Sequence, residues 1–283
     1  MLPDWIILDR VLAGWLAEDI GRGDRSTIGL GHLAEVTGKA QWVAKEDGVI
    51  AGLPIAQRCF SLLESSVQFA PKVAEGERVE RGRVIAEVDG LLKTLLTGER
   101  VALNLVMRLS GIATLSRQYA QAIEDLPATL VDTRKTTPGL RILEKYATVV
   151  GGAQNHRMGL DDGVMIKENH IAAAGSIKAA VEQIRKRTPY PISVEVETEN
   201  LEQVNEAITH KVDIIMLDNM NYDVMRTAVE KIRSADPRIK IEASGNVTLK
   251  TIRAVAKTGV DYISSSAPIT RSPWLDLSMR IVR

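Results

Sequence analysis

The chain has 283 residues, 45% of them hydrophobic, which is enough for one large or two modest cores. Its 36 Lys and Arg balance 36 Asp and Glu, so no global field favours nucleic acid or an acidic membrane, and any polyanion site has to be local. No apolar run approaches the roughly 20 residues of a membrane span, the acidic, Trp-containing start does not read as a signal peptide, and the single cysteine, Cys59, has no internal partner; these limits describe a soluble, cytoplasmic protein.

Apolar residues at Trp5, Leu8, Leu12, Trp15 and Leu16 follow helical spacing and predict a first helix from near Pro3 to near Gly21. Residues 35–90 break into short strand-like pieces punctuated by glycine, with one helix at 54–63 that carries Cys59 into a core. Within this region, 73–90 resembles the hammerhead hairpins of lipoyl and biotinyl carrier domains. It lacks the attachment lysine between two turn residues, so a structural hairpin is the better reading. A long helix over about 97–125 leads into the second half.

From Thr129 onward, short apolar strands alternate with amphipathic helices, the pattern of parallel strands joined by right-handed crossovers. Strands are expected at 129–132, 163–167, 192–197, 213–218, 240–244 and 260–264, with helices at 139–150, 176–187, 201–209, 222–234 and 248–258. Six units predict a barrel with fewer than the usual eight strands.

Catalytic groups of such barrels gather at the carboxyl ends of the strands. Charge or hydroxyl follows every strand here: Asp132-Thr133-Arg134-Lys135, Lys167-Glu168-Asn169, Glu195-Val196-Glu197, Asp218-Asn219, Ser244-Gly245-Asn246 and Ser264-Ser265-Ser266. One such residue is ordinarily a solvated loop charge; six in succession point to a site. The early ends supply cations and the later ones carboxylates, which suits a carboxylated substrate facing a magnesium-bound polyphosphate. Arg134, Lys135, Arg157 and Lys167 match a dicarboxylate, since arginine forks bind carboxylates in paired hydrogen bonds. His156 beside Arg157 offers a further donor or an acid. Glu197 and Asp218 suit Mg2+, which takes one or two carboxylates and fills its other positions with phosphate oxygens and water; the competing reading for Asp218 is a helix N-cap. Ser244 and Gly245 precede an expected helix whose positive end would favour phosphate. Arg100 falls in the expected first turn of the long helix, where a cation faces the wrong end of the dipole and invites an anion.

These residues resemble the quinolinate phosphoribosyltransferase family over essentially the whole chain. The ordered motifs are Glu18-Asp19-Ile20-Gly21-Arg22-Gly23-Asp24, Gly98-Glu99-Arg100-Val101-Ala102-Leu103-Asn104, Asp132-Thr133-Arg134-Lys135-Thr136-Thr137-Pro138-Gly139, Asn155-His156-Arg157-Met158-Gly159-Leu160, Ile166-Lys167-Glu168-Asn169-His170, Glu195-Val196-Glu197 and Glu242-Ala243-Ser244-Gly245-Asn246. The resemblance implies a small N-terminal α/β sandwich domain over 1–110, to which 274–283 returns, and an incomplete, open α/β barrel of about six parallel strands over 111–273. It also implies a homodimer with shared active sites, leaving further assembly open. The implied reaction joins quinolinate to phosphoribosyl pyrophosphate with decarboxylation, giving nicotinate mononucleotide for NAD synthesis.

By the same resemblance Arg100 is the residue borrowed from the neighbouring subunit. Arg134, His156, Arg157 and Lys167, with Lys135 beside them, form the quinolinate pocket. Glu197 and Asp218 face the ribose and magnesium pyrophosphate, and Ser244 with Gly245 forms the phosphate loop. Catalytic roles fall to Lys135, Lys167, Glu197 and Asp218. Two departures stand out: Ser265 and Ser266 begin a run that replaces the family's Gly-Ala-Leu-Thr-His-Ser type of phosphate contact, and Ala153 replaces the third glycine of a usual triple. The competing readings are a phosphoribosyltransferase for another aromatic acid such as nicotinate, a paralogue from molybdate transport operons, and a carrier module.

Overall fold

In the computed structural model, which describes Leu2 and residues 4–282, the first helix α1 is Trp5–Ile20; the expected start at Pro3 lies outside the described residues. Asp4 caps α1 by accepting from Ile6 N at 3.0 Å, and its buried face is Leu8, Leu12 and Leu16. Then follow α2 (Arg25–Gly29), a 3-10 turn (Gly31–Ala34), β1 (Thr37–Ala44), β2 (Gly48–Val49), α3 (Leu53–Leu63), β3 (Gln68–Pro71), β4 (Arg78–Val79), β5 (Val84–Leu91) and α4 (Leu92–Gln121). The second half runs β6 (Thr129–Val131), α5 (Arg141–Val150), β7 (Val164–Ile166), α6 (Glu168–Ala174), α7 (Ile177–Arg185), β8 (Val194–Thr198), α8 (Leu201–Thr209) and β9 (Ile214–Asp218). It closes with α9 (Tyr222–Ala235), β10 (Lys240–Ser244), α10 (Ile252–Ala256), β11 (Tyr262–Ser264), α11 (Ala267–Thr270) and β12 (Leu277–Val282).

The chain divides into two units. The first holds the residues up to Arg117, Ile142–Gly151 and the segment from Arg271 onward. Its main sheet has the order β12-β1-β5-β3 and its pairs are antiparallel, so β12 lies beside β1. Its core packs Trp42 edge-on against Phe60 and Phe69, with centroids 6.1 and 5.7 Å away, while Phe60 stacks on Phe69. Cys59 is fully buried on α3, and that burial pushes its thiol up to about 12, as suits an inert core residue. The 73–90 stretch is not one hairpin: β4 pairs with β2, while β5 pairs with β1 and β3.

The second unit comprises Gln118–Arg141 and Gly152–Thr270. Its six parallel strands run in the order β6-β11-β10-β9-β8-β7, so β6 and β7 are the two ends of the sheet and the barrel is open. Val194, Val196, Ile215, Leu217, Ile241, Ala243 and Ile263 are buried on one face, the continuous apolar packing that a helix-covered parallel sheet requires. Successive side chains in a strand point to opposite faces, which leaves Glu195, Glu197, Met216, Asp218, Glu242 and Ser244 on the other face. Ala153 is buried without a positive φ, whereas Gly152 is left-handed at 104°, so the departure from a third glycine carries no backbone strain.

Candidate functional site

A pocket of about 230 Å³ opens in the second unit where the strands end. Strand alternation builds it in two levels. Lys167, Ser244 and Ser264 line its rim, and its floor is lined by Met165 and Glu242, two residues deeper than Lys167 and Ser244, together with Met216, two residues deeper than Asp218 on β9. Arg134, Lys135 and Arg157 enter from the loops after β6 and before β7.

The loop carrying His156 and Arg157 is fixed by Asp132 at the end of β6. This buried carboxylate accepts from His156 N at 2.9 Å and from Asn155 Nδ2 at 2.6 Å. Arg157 donates through Nη1 to Gly163 O at 2.8 Å. Burial lowers its pKa and the neighbouring Arg134 adds to the effect, while Glu195 and Asp162 work against it. Two guanidinium groups that repel each other above a floor of two methionines and Glu242 form a receptor for negative charge. Lys167 Nζ is engaged with Glu197 Oε2 at 2.5 Å, so one cation of the set is held by the carboxylate across from it.

Below them lies a cluster that the strand ends alone did not reveal. His156 Nε2 is 3.2 Å from Glu195 Oε2 and 3.4 Å from Glu242 Oε2, and both carboxylates are almost fully buried. Burial by itself would lower the imidazole, but the hydrogen bonds to Glu195 and Glu242 outweigh it and raise it to about 10. Burial raises Glu195, the hydrogen bond from His156 opposes that rise, and Glu242 reinforces it. The Arg157 N–H, directed at Nδ1 from 2.7 Å, disfavours a second ring proton there. The extra proton is therefore shared between His156 Nε2 and Glu195. Their ligand atoms lie within 4.8 Å of one another, close enough for a metal ion. A metal-binding imidazole, however, donates its other N–H to an acceptor, whereas Nδ1 here receives an N–H, so the cluster does not fit a metal.

Glu197 and Asp218 fit one better. They lie at the ends of adjacent parallel strands, both partly exposed, and each has one oxygen in a hydrogen bond, Glu197 with Lys167 and Asp218 with Asn219, which leaves the other for a ligand. Asp218 is not a helix cap; Asn221 caps α9.

The structure thus brings together Arg134, Lys135, His156, Arg157, Lys167 and Ser244 around one pocket, with Glu197 on Lys167 and Asp218 beside Ser244 in the strand register. Ser265 and Ser266 do not line it. The Ser265 hydroxyl is buried, donating to Val247 O and accepting from Ala267 N, while Ser266 O receives the amides of Ile269 and Thr270. Ser264 takes the place in the pocket, its hydroxyl buried and without a hydrogen-bond partner. The helix after Ser244 is only Ile252–Ala256, too short and too far along to present its end to Gly245. Gly245 and Asn246 instead form a left-handed turn at φ 98 and 49, and such turns gather amides for anions. Arg100 belongs to the first unit, exposed in the third turn of α4, because that helix starts at Leu92; the dipole argument for it therefore falls. Burial raises its neighbour Glu99, and Arg100 partly offsets this. Met165, Met216 and Glu242 were missed by reading strand ends, while Glu195 and Ser264 stood in the named strand-end runs without a role; period-two alternation back from Glu197, Ser244, Lys167 and Asp218 is the signal that finds Glu195, Glu242, Met165 and Met216.

Residues 24–110 match the family model of the quinolinate phosphoribosyl transferase N-terminal domain, and residues 112–280 that of its C-terminal domain. The chain is 65% identical over 282 residues to a probable nicotinate-nucleotide pyrophosphorylase (carboxylating) of Synechocystis sp., covering 100% of this chain and 95% of the relative. It is 44% identical over 274 residues to the protein of the same description from Bacillus subtilis, covering 97% and 93%. The crystal structure of NadC from Streptococcus pyogenes superposes with a TM-score of 0.94 at 40% identity, covering 100% of this chain and 99% of that one.

Proposed function

Since the chain belongs to the quinolinate phosphoribosyltransferase family, its reaction is the transfer of the phosphoribosyl group of phosphoribosyl pyrophosphate to quinolinate with loss of carbon dioxide, and we propose how its residues divide that work. Arg134, Arg157, Lys135 and Lys167 hold the two quinolinate carboxylates, with Arg100 supplied by the partner subunit of a homodimer. Glu197 and Asp218 would hold Mg2+, which when bound supplies charge neutralisation for departing pyrophosphate. The 244–246 turn receives phosphate. The observation that carries this reading is the crowding of four cations around one small pocket with Glu197 and Asp218 at the adjacent strand ends.

In this arrangement the pyridine nitrogen is aimed at the anomeric carbon, the bond to pyrophosphate breaks as the new nitrogen–carbon bond forms, and Glu197 and Asp218 steady the positive charge that develops on the ribose. These groups are in place before charge moves, which is where preorganised electrostatics gains most. The ring nitrogen, cationic after transfer, accepts the electron pair left when the adjacent carboxylate departs as carbon dioxide, and that carbon then takes a proton. His156 has both ring nitrogens engaged within the protein, so its part is to hold Arg157 and the floor in place. The balanced charge and the lone, buried thiol support a cytoplasmic setting. Among the described residues no helix is long and apolar enough to cross a membrane.

Purified protein given quinolinate, phosphoribosyl pyrophosphate and magnesium should form nicotinate mononucleotide and carbon dioxide in equal amounts, and should leave nicotinate untouched. Turnover of nicotinate would reject the dicarboxylate reading of the pocket. The shared site is tested by mixing Arg100→Ala and Lys167→Ala subunits: in random dimers about a quarter of the sites regain a full set, so activity should return from near zero. Verified heterodimers without activity would place Arg100 outside the site.

A further inference from the structure

The residues just beyond Asp218 and Ser244 meet in an arrangement that the substrate assignments leave unused. Asn219 is left-handed at φ 53, and across from it Gly245 and Asn246 are left-handed at φ 98 and 49. Asparagine is among the non-glycine residues that tolerate this region best. Asn219 N donates to Ser244 O at 3.0 Å, and Asn246 Nδ2 donates to Asn219 Oδ1 at 3.2 Å. The approach is close enough that a Cβ at Gly245 would stand 2.2 Å from Asn219 Oδ1 and 2.8 Å from its backbone nitrogen, so glycine is required there. The other end of the same amide is also engaged: Asn219 Nδ2 donates to Asp218 Oδ2 at 2.7 Å. One side chain therefore joins a carboxylate at the end of β9 to the turn after β10.

We propose that Asn219 is a positioning residue that ties the Asp218 carboxylate to the 244–246 turn, so that the two grips on phosphoribosyl pyrophosphate keep a fixed spacing. The proposal rests on the reading of this edge as the phosphoribosyl pyrophosphate side. A substrate held at its phosphate and its pyrophosphate gains from that spacing, because its ends need not be brought into line after binding. A turn formed only for its backbone shape would be served equally well by glycine, and that difference makes the role testable.

Asn219→Gly keeps the left-handed backbone and removes both side-chain bonds. It should raise KM for phosphoribosyl pyrophosphate about tenfold while quinolinate affinity, read by calorimetry, stays within about twofold. Asn219→Asp keeps the acceptor for Asn246 and the tolerance of the turn but sets a second carboxylate against Asp218; it should be the more impaired of the two and need more magnesium. Parental kinetics in Asn219→Gly would overturn the proposal, as would equal losses for both substrates, which mark general loosening. Asp218→Asn separates the two levels of the argument. If it is impaired while Asn219→Gly is not, only the tether fails; if it keeps parental kcat and KM, the reading of this edge fails and the tether with it.

Discussion

Glu197→Ala should lower kcat by about two to three orders of magnitude, the scale of losing one preorganised charge at the reacting centre, and should bind quinolinate more tightly than the parent. The second half of this expectation comes from the ion pair. Lys167 Nζ is committed to Glu197 Oε2 at 2.5 Å, and a ligand carboxylate has to compete with that oxygen for the ammonium. Removing Glu197 frees the lysine, so affinity and turnover should move in opposite directions. Single-turnover kinetics for the chemistry and calorimetry for quinolinate separate the two. Weaker quinolinate binding with unchanged turnover would remove Glu197 from the phosphoribosyl side.

The second large effect is on stability. His156→Ala leaves the buried carboxylates of Glu195 and Glu242 facing each other without their shared donor, and breaking a buried ionic group in this way costs about 3–5 kcal/mol. The loss should depend on pH in a defined sense. In the parent, the imidazole is raised from its ordinary value to about 10, so its contribution is complete below roughly 6.5 and fades as pH climbs toward 10. In the variant, Glu195, which burial already raises in the parent, loses the opposing hydrogen bond and regains neutrality by taking up a proton as pH falls. Urea unfolding should therefore show the widest gap between parent and variant near pH 7–8 and a narrower one near pH 5 and near pH 10. A gap of the same size at all three would mean that the histidine only fills space. Arg157 and Arg134 lie beside the cluster.

How far the sequence could be read varied with the physical signal at each place. The six barrel strands were visible because each is an apolar run closed by a polar residue, and the rim residues Lys167, Glu197, Asp218 and Ser244 stand at those closures. The floor was not, because Glu242 lies inside its run and only its common phase with Ser244 places it on the pocket side; Glu195 was named at its strand end, but nothing there showed that it meets His156. Helix α6 is not among the expected helices: none of its residues is buried, so it has no apolar stripe, and at its start Lys167 N donates to His170 Nδ1 at 3.0 Å. The register of Arg100 was misjudged because β5 ends at Leu91 and α4 begins at Leu92, with no turn residue between them to mark the change. Ser265 and Ser266 were expected among the substrate-binding residues, at the place of the family's phosphate contact, but the short helix α11 draws their polar atoms into the fold.

The pairing of β1 with β12 also governs the order of events on the ribosome. Lys39 finds its strand partner at Val282, at the far end of the sequence, whereas the parallel sheet is complete once β11 has emerged. Contacts this distant along the chain close slowly, so the first unit to be started is the last to be finished, and during synthesis β1 presents an unpaired edge for as long as the rest of the chain takes to appear. A stop codon ahead of Leu277 would spare every residue of the pocket and still leave that edge open permanently. Such truncations should therefore surface first as aggregation and chaperone dependence, with the pocket chemistry intact in whatever fraction stays in solution.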